Sequence, residues 1–99
     1  MTDYFTSGTW YVTPGCEDQF IERWTEMVSW SRRNFPAMQV ASLLRDDNLP
    51  GHFVSFAEWD SPEESKAWKS TPGFQERFKA CAAMRDKARG ADYDRVAAV

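Results

Sequence analysis

Few side chains in this sequence can do chemistry unaided, and their spacing narrows the choice. His52 is the single histidine. That removes Ser-His-Asp hydrolysis and most zinc centres, which need a base with its partner or several ligands together. Cys16 and Cys81 form no Cys-x-x-Cys pair and no disulfide framework, and two free thiols suit a reducing cytoplasm. The five glycines are scattered at turns, so no phosphate-cradling loop is formed. His52 follows Pro50-Gly51 at the start of a strand-like run. It is either a solvated loop histidine or a general base, and the second role needs a substrate within about 2.6–3.2 Å. Arg85 falls on the same helical stripe as Phe74, Phe78 and Cys81. A guanidinium there can hold a substrate anion, cross a subunit interface or snorkel from a helix end. Cys81 on that stripe reads as a small buried hydrophobe. The chain also carries five Trp, seven Phe and three Tyr in 99 residues. A domain this short buries only about two-thirds of its unfolded surface, which leaves rings to line a pocket or a subunit interface.

The elements that must position these groups follow from hydrophobic periodicity. Tyr4 to Val12 is rich in aromatic and β-branched residues and stops at Pro14-Gly15, which predicts a strand and a turn. A helix follows, with Phe20, Trp24, Met27, Val28, Ser31 and Phe35 on one face, Glu17 and Asp18 in its first turn, Arg32 and Arg33 near its last, and Pro36 as its stop. Trp24 and Met27 belong to the helix–sheet core, and Trp24 can also form one wall of a cavity. Met38 to Arg45 predicts a second strand, with Met38, Val40, Ser42 and Leu44 on one face. Asp46 to Gly51 forms a hairpin loop, and His52 to Trp59 a third strand with Phe53, Ser55, Ala57 and Trp59 together. Asp60 is expected to cap a second helix, with Pro62 in its first turn and Glu63 at the capping-box position. That helix breaks at Ser70-Thr71-Pro72-Gly73, resumes through Phe74, Phe78, Cys81 and Ala82, and closes at Gly90, with Ala91 to Val99 as a last strand. The order β-α-β-β-α-β predicts an α+β domain of ferredoxin-like arrangement, two helices on one side of a four-stranded antiparallel sheet. Apolar side chains on the opposite sheet face call for a cover, and a second copy of the sheet supplies it, so a homodimer is expected.

Composition agrees with one domain spanning 1–99. The chain is 42% hydrophobic and 27% charged, which excludes disordered and low-complexity classes. Its net charge of −3 and pI near 5.1 have the wrong sign for nucleic acid or an anionic membrane. No apolar run approaches the roughly 20 residues of a membrane helix, and the opening Met1-Thr2-Asp3-Tyr4 is unlike a signal peptide, so a cytoplasmic protein is expected.

Three stretches carry a family likeness: Val12-Thr13-Pro14-Gly15 leading into an acidic helix start, Phe53-Val54-Ser55-Phe56-Ala57-Glu58-Trp59-Asp60-Ser61-Pro62-Glu63, and Trp68 followed by Ser70-Thr71-Pro72-Gly73-Phe74. Together they resemble the antibiotic biosynthesis monooxygenases, a family of small dimeric domains that includes anthrone oxygenases, quinol monooxygenases and haem-degrading enzymes. The resemblance runs from about Phe5 to Val96. It implies a dimeric α/β barrel with a pocket between sheet and helices in each subunit. It also implies oxidation of an aromatic phenol, anthrone or quinol by O2 with no metal or flavin. In the anthrone oxygenases a strand-end Trp lines the pocket and matches Trp59, and the Asn four residues before it is Ser55 here. These two are the implied catalytic pair, against the plainer readings of a core or interface indole and a small residue in a crowded strand. Trp24, Trp68, Phe78, His52 and Arg85 complete the candidate pocket, although Trp68 also reads as packing at the helix break. Phe78 stands where the anthrone oxygenases have an Arg and the haem-degrading branch its axial His, and Gly8 stands where that branch has an Asn. Phe offers iron no lone pair, so haem turnover is disfavoured. The alternative is a non-catalytic dimeric domain that keeps the fold and binds a small ligand.

Overall fold

The central strand β1 (Tyr4–Val12) pairs antiparallel on both sides, with β3 (His52–Trp59) and β4 (Arg85–Asp94), and β2 (Met38–Arg45) completes the order β2-β3-β1-β4. The computed structural model describes residues 3–99; Met1 and Thr2, part of the reading against a signal peptide, lie outside them. Helices α1 (Glu17–Asn34), α2 (Pro62–Ser70) and α3 (Pro72–Ala82) complete the element order, and the sheet has the ferredoxin-like topology.

Local chemistry sets the boundaries. Gly15, at φ +92°, turns the chain into α1, and its N–H donates to Glu17 Oε1 at 2.9 Å. The α1 face holding Phe20, Trp24, Met27 and Ser31 is buried, as its spacing predicts. Gly51, at φ +87°, closes the β2–β3 hairpin, where a Cβ would also lie 2.9 Å from the Val12 carbonyl oxygen. The cap of α2 is Ser61 and not Asp60: its side chain accepts from the Glu64 N–H at 3.1 Å. This places Pro62 at the first helical position, where its missing N–H costs nothing. Thr71 caps α3 in the same way, with Pro72 behind it, so the expected interruption becomes a clean division into two helices.

Two further expectations are corrected. The last helix ends at Ala82, and the segment around Gly90 is strand, with Gly90 paired to Gly8. The reason is tertiary: without β4, one edge of β1 would present unpaired N–H and C=O groups, and residues 85–94 satisfy them. In β2 an irregularity between Met38 and Ala41 reverses the alternation. Met38, Ala41 and Leu43 therefore share the helix-side face, while Val40 and Leu44 turn outward at 58% and 52% exposure.

Helices cover one face of the sheet in two buried clusters. One gathers Trp10, Phe20, Trp24, Met27, Phe53 and Cys81, and the other Met38, Ala57, Trp59 and Trp68. A buried polar link ties α1 to α2, Trp68 Nε1 donating to Ser31 Oγ at 2.8 Å while that hydroxyl donates to the Met27 carbonyl at 2.7 Å.

Candidate active site

The register across the sheet creates a gap between the two clusters. On the helix-side face Phe53 and Trp10 stand opposite each other and form one bulky row. Trp59 and Tyr4 form another. Between them lie two rows of small side chains, Ser55–Gly8–Gly90 and Ala57–Thr6–Asp92. Helices resting on the bulky rows cannot reach the small ones, and a cavity of about 110 Å³ remains. Gly8 is essential to this floor, because a Cβ there would sit 2.8 Å from Trp10 Nε1 and 2.9 Å from Ser55 Oγ.

The walls are aromatic. Trp10 and Phe78 have ring centroids 5.3 Å apart, Phe78 and Phe74 5.6 Å, Phe74 and Trp68 4.3 Å, and all four line the cavity. Trp24, Met27 and Met38 close the side toward α1 and β2. The floor carries a few polar atoms. Ser55 Oγ accepts from Trp10 Nε1 at 3.3 Å and lies 3.4 Å from the Gly8 carbonyl, and Thr6 Oγ1 accepts from Trp59 Nε1 at 3.0 Å. A largely apolar chamber with a hydroxyl at its base suits a planar aromatic ligand held by one oxygen.

Ser55, Trp24, Trp68 and Phe78 are thus brought together. Trp59 is 1% exposed and stands one row behind the chamber, touching its lining through the hydrogen bond to Thr6 and through the Trp68 ring, with centroids 5.1 Å apart. His52 is at the far end of β3, where Nδ1 lies 2.9 Å from Asp46 Oδ2 and the ring stacks on Tyr11 with centroids 4.6 Å apart. That bond and the Asn48 N–H hold the Asp46 carboxyl below its ordinary pKa. Arg85 opens β4 as an exposed residue away from the cavity, and the helical stripe that grouped it with Phe78 ends before it. Gly8, picked out in the sequence only through the family likeness, lines the floor, and Thr6 and Lys69 were missed as lining residues. Thr6 declares itself only through cross-strand register, and Lys69 only through its neighbour Trp68, which points inward.

Among solved structures, SnoaB, a cofactor-independent oxygenase from Streptomyces nogalater, superposes in a mutant form with a TM-score of 0.89 at 16% identity, covering 100% of this chain and 98% of that one. A structure named antibiotic biosynthesis monooxygenase gives 0.79 at 21%, covering 95% and 99%. A conserved protein from Methanosarcina mazei Go1 gives 0.83 at 14%, covering 96% and 94%. At these identities the likeness is one of fold. A search of curated proteins finds no match. The sequence profile of the antibiotic biosynthesis monooxygenases matches residues 4–80. The chain belongs to that family. Within an antibiotic biosynthesis monooxygenase domain, the matched segment includes every cavity-lining residue except those of β4, Ala88 to Ala91. No helix among the described residues is long and apolar enough to cross a membrane.

Proposed function

We propose that this domain is a cofactor-independent monooxygenase that oxidises an electron-rich, single-ring phenol or quinol with O2. The observation that carries the reading is the aromatic chamber over Ser55. Its 110 Å³ is of the order of the roughly 150 Å³ apolar cavity that accepts one benzene ring, which favours one ring over a polycyclic anthrone. For a hydroquinone the balanced reaction gives a hydroxyquinone and water. The substrate loses four electrons, its two phenol oxygens become carbonyls, one oxygen atom of O2 is bonded to a ring carbon as the new hydroxyl, and the other leaves as water. The carbon being oxidised supplies the reducing power, so the protein has to hold the phenolate and keep water away. Ser55 is the hydrogen-bond partner of the phenolate oxygen, and Phe74, Phe78 and Trp68 exclude water. Trp59 is a positioning residue acting through the Thr6 hydroxyl. The named neighbour SnoaB supports the reaction class through shared fold.

We propose further that the active form is a homodimer joined through the outer sheet face. Val40, Leu44, Phe56 and Tyr93 are 40–58% exposed there, and the total accessible area of 6261 Å² exceeds the about 5,800 Å² expected for 11.4 kDa. The two free thiols suit a cytoplasmic location.

An oxygen electrode with a panel of hydroquinones and anthrones tests the activity. Uptake above the uncatalysed rate, reduced by Ser55→Ala, is the expected result; saturable binding with no added uptake would identify a binding domain instead. Sedimentation tests the assembly, a monomer of 11.4 kDa at micromolar concentration refuting it.

A further inference from the structure

Of the residues lining the chamber, the charged ones among those described are Lys69 and Arg89, and Arg89 pairs with Thr9 on the outer sheet face, which leaves Lys69 as the cation on the helix side in a chain whose net charge is −3. Lys69 lies in the last turn of α2, lines the chamber and forms an ion pair with Asp92 of β4, the strand whose residues 88–91 line the chamber too. Both side chains are about 40% exposed, 38% and 41%. A half-exposed pair of this kind is weakly held, because water screens it and two flexible side chains are ordered to make it. An acidic ligand group of similar geometry can therefore take the place of the Asp92 carboxylate. The register fixes where this exchange happens. Asp92 lies two strands over and two residues along from Ser55, about 12 Å by Cα from strand and residue spacings. Ser55 and Lys69 both line the chamber, so a ring seated in it can present one oxygen to each.

We propose that Lys69 is a specificity-determining residue that selects aromatic ligands bearing a carboxylate opposite the hydroxyl, the hydroxyl seated at Ser55 and the carboxylate displacing Asp92 from Lys69. This rests on the reading of the chamber as the substrate site and names the substrate class as acidic phenols and quinols. Asp92 is then more than a structural partner. It occupies the cation when the chamber is empty and sets a threshold that a neutral phenol has no means of exploiting.

The test uses two ligands that do not react with O2, 4-hydroxybenzoate and 4-hydroxybenzamide, which share size and hydroxyl but differ in charge. Calorimetric titration of the full chain at low salt is expected to give the acid about tenfold tighter binding, the scale of one charge-assisted hydrogen bond. Lys69→Met should bring that ratio to about one and leave the amide unchanged, while Asp92→Asn should tighten the acid alone by removing its competitor. A wild-type ratio near one, a ratio that survives Lys69→Met, or no saturable binding of the acid overturns the proposal. Because neither ligand is turned over, the outcome is separate from the oxygenase test: tenfold selectivity without O2 uptake would sink the reaction and leave this inference standing.

Discussion

Replacing Gly8 by alanine sets two effects of opposite sign against each other, and the geometry decides between them. In an ordinary strand the change stabilises by about 0.5–1 kcal/mol, since glycine loses more backbone freedom on folding. Here the new methyl would sit 2.8 Å from Trp10 Nε1 and 2.9 Å from Ser55 Oγ. The serine hydroxyl can rotate away, but the indole is rigid and held between Phe20 and Phe78, with centroids 5.2 and 5.3 Å away. Forced overpacking of this kind costs about 1–3 kcal/mol. Separating Trp10 from Ser55 removes a buried hydrogen bond worth about 1 kcal/mol. The net expectation is a loss of about 1–3 kcal/mol. At about 4–8 °C per kcal/mol for a domain of this size, Tm falls by at least about 4 °C. The methyl also fills part of the chamber floor, so phenol binding weakens together with stability. Thermal unfolding by circular dichroism and titration with 4-hydroxybenzamide measure the two effects. A variant that melts at or above the wild-type temperature and binds the amide unchanged would refute the account of the floor.

The Asp46–His52 pair predicts a pH signature. Asp46 has a depressed folded-state pKa, so its contribution is complete above the ordinary carboxylate value of about 3.9 and is lost as pH falls through the lower folded value. The urea midpoints of wild type and Asp46→Asn should therefore differ at pH 6 and converge at about pH 2, and a constant gap would count against the pair. Cys81 is fully buried, which pushes its thiol up to about 12. A thiol reagent at pH 8 should label Cys16 first and Cys81 only on unfolding; equal rates would contradict the packing. Haem with a reductant should show the same Soret decay with and without the protein, since Phe78, which lines the chamber, offers iron no lone pair. Protein-dependent bleaching that is lost in His52→Ala would place an iron ligand on β3.

Where the chain followed local rules, its sequence was enough. The α1 face from Phe20 to Ser31, the Gly51 hairpin and the Pro72 break all depend on neighbours within a turn or two, and each is where periodicity and turn chemistry put it. The errors share a different cause. Lys87-Ala88-Arg89 is acceptable helix sequence, and only the vacant edge of β1, some eighty residues earlier, makes it strand. The bulge at Met38–Ala41 that turns Val40 outward is set by pairing with β3. The site was legible in the same proportion. Ser55, Trp24, Trp68 and Phe78 could be named because they lie on faces that periodicity reveals, whereas Gly8 and Asp92 matter through what stands across the ladder from them. Arg85 follows the same rule: it opens β4 because α3 ends at Ala82, and helical periodicity carries no sign of that end.

The paired glycines at 8 and 90 give this chamber an unusual kind of heredity. Its shape is cast in the hydrogen-bonded ladder by side chains that are absent, so no loop has to change length for the mould to change. A single codon at position 8, 55, 57 or 90 can deepen, raise or tilt the floor while every strand stays in register. Solved structures at 14–21% identity share nearly the whole fold. Its diversification can proceed by point substitution against a fixed backbone, and each step is reversible.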